Sequence, residues 1–374
     1  LLNADAGSIY IKEGDMLNFS FAQNDTLQKK LSPDKKLIYT TFKMPINNNS
    51  IAGFVANNGS TLNIPDAYKI SSALPFNFDS SYDKISGYHT QSMLTLPMKN
   101  SRGEIVGVLQ LINAQNDRGE IVAFQEEDEP LVKHLAIYAA NGIERAQMTR
   151  TTIMRMIRMA ELRDPKETGP HVNRVASYAV EIFEAYAKKK GMEQKEIDKK
   201  RDSLRLAAML HDVGKVAISD TILKKPGRFT DEEFEIMKQH TILGAQLFSD
   251  ARSEFDEFSA EVALNHHEKW DGSGYPGYVD VQTGKPLSGH ETSDGKARGK
   301  KGEEIPLFGR IVALADVYDA LSSKRVYKEA WDEQTVLTTI EQSRGKHFDP
   351  ELVDIFFEII DIIRSIAKRY PDPE

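Results

Sequence analysis

The sequence predicts an α+β multidomain chain: a mixed α/β module at residues 1–129, a long connecting helix at 130–163 and an all-α bundle at 164–374. Three observations carry this reading. Short apolar runs broken by turn residues fill the first ~125 residues. A helical pattern starting at Pro130 then runs on with Gly142 as its only soft point. Beyond it, helix-start signals recur and strand-like alternation is absent. At 374 residues the chain is long enough for each of two domains to bury its own core.

Taking the elements in order, SIYIKEGDMLNFSFAQND (8–25) reads as a hairpin turning at Glu13-Gly14. NSIAGFVANNGSTLNIPDAY (49–68) reads as a short helix followed by a strand-like Leu62–Ile64, and 92–116 as two strands turning at Ser101–Gly103. In the connecting helix, Asp128 and Glu129 favour the N-terminal end, and apolar residues recur at Leu131, Leu135, Ala139, Ile143, Ile153, Ile157 and Ala160. A helix of that length spans roughly 50 Å. Its stripe predicts either packing on both modules or, as the favoured reading, a homodimer through a second copy of the helix. Pro170 opens the next helix, and Thr230-x-x-Glu233 is a capping box before the helix that carries His240. Asp349-Pro350 starts a last amphipathic helix. Two stretches read as connections: the charge-rich 188–200 and the Gly- and Lys-rich 279–304.

Composition narrows the function. A net charge of −8 gives no electrostatic reason to expect binding of a nucleic-acid polymer. The absence of cysteine excludes disulfides, thiolate catalysis and Cys-ligated metal, and fits a cytoplasmic location. No apolar run approaches the length of a membrane span. The chain begins Leu-Leu without a Met, which leaves open a preceding segment such as an anchor or a further sensor.

The second half carries the chemistry. His171, His211-Asp212, His240, His266-His267 and Asp316 follow one another, with Glu167 just upstream, and five of the nine histidines belong to this string. That is more ligand than one structural zinc takes. It suits two or more metals with one carboxylate bridging, and hence phosphoester hydrolysis. His211 and Asp212 are adjacent on a predicted helix and diverge by about 100°, so both reach one cluster if Asp212 bridges. His240 alone reads as a core or surface histidine; within the ordered set it reads as a ligand. Glu167 reads either as a further ligand of the cluster or as a helix-start carboxylate. Lys215, three residues after Asp212, can neutralise a phosphate oxygen or form a surface ion pair. Tyr275 can stack on or hydrogen-bond to a planar ligand, or pin its turn. Asp319 can orient a ligand histidine or cap its helix. His89, His134, His290 and His347 have no partner at ligand spacing. KARGKKG (296–302) reads as a mobile basic lid or as a tolerated insertion.

HDVGK (211–215), NHHEKWDGSGYP (265–276) and ADVYDALSSKRVYK (315–328) together resemble the HD-GYP phosphodiesterases, a branch of the HD metal-dependent phosphohydrolases. The resemblance covers about residues 150–370. It implies hydrolysis of cyclic di-GMP to pGpG, with GMP as a further product left open, and an iron or manganese site of two or three ions. It also implies phosphate contacts from Arg325 and Lys328, although Val326 stands where the family has Pro. Another cyclic dinucleotide, such as cyclic GMP-AMP, and a catalytically silent receptor remain as alternatives. The N-terminal segments SIAGFVA, LNIPDAY, GYHTQSMLTLPM and GVLQLINA resemble a GAF sensory domain with an unknown ligand. Asn113, Phe124 and Asp128-Glu129 match part of a GAF signature, but Ala114 replaces its Lys, so cyclic-nucleotide binding is not carried over.

Overall fold

In the computed structural model, residues 3–30, 42–164, 169–323 and 331–372 are described. The chain divides into two compact units, Leu1–Thr151 and Thr152–Glu374.

The first unit is built on one antiparallel sheet. Its strands are β1 (Ala4–Glu13), β2 (Met16–Asn24), β3 (Lys43–Pro45), β4 (Leu62–Ile64), β5 (Met93–Lys99), β6 (Ile105–Gln115) and β7 (Ile121–Val122). The order is β3-β2-β1-β6-β5-β4, with β7 on β6. The hairpin expected at Glu13-Gly14 turns there, with Glu13 paired to Met16 and Gly14 at a left-handed φ of 58°. Helix α1 (Asp25–Lys29) follows β2, and α3 (Ser81–Ser86) precedes β5. Helix α2 (Ile51–Asn58) starts at Ser50, whose hydroxyl accepts from Gly53 N, and ends at left-handed Gly59. Its Ala52, Val55 and Ala56 pack against Tyr10, Leu17 and Val108.

Helix α4 runs over Glu129–Arg163. The expected stripe is displaced in its first two turns only; farther on Ala139 and Ile143 pack against the sheet core as expected. Val132, Ala136 and Ala140 are buried against Leu94, Leu96 and Met98, while Leu131 and Leu135 are exposed. Small side chains let the helix lie close to the sheet, and neighbouring positions, about 100° around the axis, turn away. Ile153 and Ile157 belong to the core of the second unit.

That unit is helical among its described residues: α5 (Gly169–Lys189), α6 (Gln194–Met209), α7 (Asp220–Leu223), α8 (Asp231–Gln246), α9 (Glu254–Asn265), α10 (Leu307–Ser322), α11 (Glu333–Gln342), α12 (Pro350–Glu358) and α13 (Ile360–Arg369). Helix α5 is central. Its Val175, Ile182 and Phe183 are fully buried, each contributing about 1.5–3 kcal/mol of transfer free energy, and Tyr178 is fully buried beside them. Helices α6, α10, α12 and α13 all pack on it. The predicted connection 188–200 is largely helical, because α5 continues to Lys189 and α6 begins at Gln194. Charged residues there lie on solvated helix faces and pair locally, as in Lys200–Glu196 at 2.7 Å. The capping box at Thr230 and Glu233 forms as expected. No helix among the described residues is long and apolar enough to cross a membrane.

Candidate metal centre

Five separate elements deliver the ligand-type side chains. The first turn of α5 carries His171. The turn after α6 carries His211 and Asp212, α8 carries His240, the end of α9 leads into His266 and His267, and α10 carries Asp316. The ligand atoms fall into two groups, each within 4.8 Å: Asp212, His240, His266 and His267; and His171, His211 and Asp316. Asp212 faces both. Its Oδ1 lies 3.1 Å from His240 Nε2 and 3.6 Å from His266 Nε2, while its Oδ2 lies 3.2 Å from His211 Nε2. Asp316 Oδ1 is 3.7 Å from His171 Nε2 and 4.0 Å from His211 Nε2. His211 and Asp212 sit in the turn beyond α6 rather than on a helix as predicted. The chain leaves α6 at Leu210 and enters the short 3-10 turn Val213–Ala217, and this break lets both side chains point inward.

The rings are held from behind. His211 Nδ1 donates to Ala208 O (2.7 Å), His240 Nδ1 to Met237 O (2.6 Å), and His266 Nδ1 to Val262 O and Ala263 O (3.0 Å each). His171 Nδ1 donates to Asp319 Oδ2 at 2.8 Å, so Asp319 orients the His171 ring. With the proton on Nδ1, each Nε2 presents a lone pair to the centre. His240 Nε2 and His266 Nε2 then approach to 3.4 Å, two lone pairs facing each other. That arrangement calls for a cation between them. Burial pushes the His266 and His267 rings toward the neutral form. Burial opposes ionisation of Asp212, but Lys215 and His211 beside it hold its carboxyl well below the usual range. Imidazoles around an ionised carboxylate, His266 and His267 kept neutral by burial, are a donor set that divalent metals take, so the residues fit such ions.

Around the ligands, Lys215 Nζ reaches Asp212 Oδ2 at 2.6 Å and lies 3.7 Å from Asp164. Its pairing is therefore inside the site and not at the surface. Arg163, the last residue of α4, donates to Val216 O and, at 2.7 Å, to Ile218 O, and so holds the far end of the same turn. Asp319 also accepts from Arg174 Nε at 2.6 Å. Tyr275 stacks on His267 with centroids 4.8 Å apart and an interplanar angle of 30°. Its peptide bond to Pro276 is cis.

Sequence reasoning missed the groups that pin this turn. Glu268, almost fully buried, accepts from the backbone N–H of Gly277 and of Lys300. The carbonyls of Lys346 and His347 accept from Asp271 N (2.8 Å) and Trp270 N (3.0 Å). A signal for Glu268 was present, since an acid directly after a ligand pair is well placed to accept from the turn that follows. The 279–304 segment is not a free basic lid. Bridges Val279–Pro286 and Glu291–Ala297 fold it. Lys296 pairs with Glu235 at 3.0 Å, Arg298 pairs with Glu304 at 3.1 Å and lies over the Tyr278 ring, and Lys300 binds Asn265. These three cations are held by internal partners. Glu167, Arg325 and Lys328 lie outside the described residues.

Two known domain families match: an HD domain over residues 168–321 and a GAF domain over residues 1–143. A cyclic di-GMP phosphodiesterase of Vibrio cholerae is 35% identical over 274 residues, covering 71% of this chain and 51% of that protein. A cyclic di-GMP phosphodiesterase of Thermotoga maritima is 38% identical over 216 residues, covering 58% and 50%. A Vibrio cholerae protein named 3'3'-cGAMP-specific phosphodiesterase 2 is 37% identical over 207 residues, covering 55% and 34%. The chain thus spans between a third and a half of the length of these relatives.

Proposed function

We propose that this chain, which joins an N-terminal GAF domain to a C-terminal HD domain akin to cyclic dinucleotide phosphodiesterases, hydrolyses cyclic di-GMP to pGpG. The single observation behind the reading is Asp212, whose two oxygens face two separate groups of nitrogen and carboxylate ligands. His171, His211 and Asp316 would hold one ion, His240, His266 and His267 another, and Asp212 both; iron or manganese suits these donors. Bound there, divalent ions supply Lewis acidity to a phosphodiester and to water.

The protein's own groups supply the rest. Water adds to phosphorus, the P–O3′ bond breaks, and the 3′ oxygen leaves with a proton. Lys215, half-buried beside Asp212, is placed to turn its ammonium toward a non-bridging phosphate oxygen as charge builds. Histidines anchored on backbone carbonyls keep the ligand atoms in register without rearrangement. Tyr275 forms one wall of the site and offers a face for a guanine. In this proposal the GAF domain regulates turnover. The exposed Leu131, Leu135 and Tyr138 of α4 support a homodimer through that helix.

A second reading, 3'3'-cGAMP as substrate, is favoured by the relative that carries that name. Metal content and turnover, measured on the parent and on Asp212→Ala with both dinucleotides side by side, test the proposal. Metal and cyclic di-GMP hydrolysis should vanish together in the variant. A metal-loaded parent that turns over neither compound would leave a binding-only receptor.

A further inference from the structure

Beside the ligand cluster, helix α8 presents a second aromatic surface that the mechanism does not use. Phe234 and Lys238 stand four residues apart on one face of this helix, which then carries His240 inward. The Phe234 ring meets Tyr275 edge to face, with centroids 5.9 Å apart and an interplanar angle of 83°. Tyr275 in turn stacks on His267. Two ring contacts therefore lead outward from a ligand histidine to a phenylalanine that is 44% exposed. Lys238 Nζ lies 5.5 Å from the Phe234 centroid and 5.7 Å from that of Tyr275, over both rings. Its partner Glu235 is shared: Lys238 binds it at 2.7 Å and Lys296 at 3.0 Å. Glu235 therefore holds neither ammonium alone, and Lys238 stays over the rings.

A large apolar ring held open to solvent, fixed by a neighbouring ring and flanked by an ammonium, is complementary to a flat base joined to a phosphate. We infer that Phe234 and Lys238 form a nucleotide subsite, Phe234 stacking a purine of the substrate and Lys238 facing its phosphate. The inference rests on the dinucleotide reading and deepens it. The base next to the scissile phosphate meets Tyr275, and the base farther out meets Phe234. Base–aromatic stacking contributes about 1–3 kcal/mol per base, which corresponds to roughly a fivefold to 150-fold change in apparent affinity.

The test compares two diesters on the metal-loaded full chain: cyclic di-GMP, and methyl p-nitrophenyl phosphate, which is too short to span from the ligand cluster to Phe234. Phe234→Ala should raise KM for cyclic di-GMP about tenfold, leave its kcat near the parent's and leave turnover of the small diester unchanged. Phe234→Tyr, which keeps the ring, should restore KM. Lys238→Met should raise KM for cyclic di-GMP and weaken its dependence on salt. An unchanged KM in Phe234→Ala overturns the subsite. So does a parallel loss with both diesters, which marks a structural effect on the whole site. A parent that turns over the small diester and no cyclic dinucleotide overturns the substrate reading itself, and the subsite with it.

Discussion

Gly214 gives the most direct test of how the candidate centre is held. It lies two residues beyond Asp212, where the 3-10 turn presses on the backbone of α8. A Cβ at this position would meet His240 O at 2.0 Å, Gly244 N at 2.4 Å and Gly244 Cα at 2.9 Å. All three are backbone atoms, so no side chain can swing aside. Real Cβ contacts do not fall below 3.0 Å, so Gly214→Ala must part the turn from α8 by roughly 1 Å. Asp212 rides on that turn and His240 on that helix. Metal–ligand distances hold to about ±0.2 Å, so the shift exceeds the tolerance several-fold. A displacement of this size near reacting groups costs on the order of 10²-fold in rate, and the overpacking about 1–3 kcal/mol of stability. Elemental analysis should show loss of the ion shared by Asp212 and His240, with turnover lower by about two orders of magnitude. Gly142→Ala is the control: nothing lies within 4 Å of the added carbon. A Gly214→Ala protein with the parent's metal count and rate would refute the argument that this backbone contact sets the ligand geometry.

Other outcomes follow from buried polar groups. Asp319→Ala removes the acceptor of His171 Nδ1 and a partner of buried Arg174; Arg174 keeps Asp372 at 2.9 Å. Urea unfolding should show a loss of about 3 kcal/mol, and metal affinity should fall roughly 10–100-fold. His347 is neutral in the fold, burial lowering its pKa to about 4. The unfolded chain, with a histidine pKa of about 6.5, binds more protons between these values, so stability is full above pH 6.5 and falls as pH drops toward 4. His347→Gln should flatten the urea-stability curve in that window, removing up to about 3 kcal/mol of pH dependence; an unchanged slope would show that the ring is not held neutral.

Features encoded by neighbours in the chain were legible in the sequence. The Glu13-Gly14 hairpin, the Thr230–Glu233 capping box and the long helix from Glu129 depend on local residues, and the structure has them. The ordered string of histidines and aspartates pointed to a cluster, and the seven described members converge on two adjoining groups. What depends on packing across the fold was less legible. At the start of α4 the face that meets the sheet was misplaced by one residue, since close approach favours Ala136 and Ala140 over the larger Leu131 and Leu135, while Ala139 and Ile143 pack there as expected. The role of Asp319 was left open until its distance to His171 decided it. The partners of Lys296 and Lys300, Glu235 and Asn265, lie 61 and 35 residues away, so a lid and an insertion read alike in the sequence. Phe234 carried no signal at all, since an exposed phenylalanine is ordinary until its neighbours are known.

The backbone anchoring of the histidine rings has a consequence for how the domain would be loaded. His211, His240 and His266 are each tied to a carbonyl of the helical turn just before them, so their directions are set once α6, α8 and α9 have formed. The entropy of orienting the ligands is then spent during folding, and capture of ions adds little further ordering. This is the opposite regime from small metallo-domains that fold only around their ion. A chelator should therefore strip the centre while the far-ultraviolet circular dichroism stays at its starting value. The emptied domain should take up ions again in a single concentration-dependent step, without a slow conformational phase.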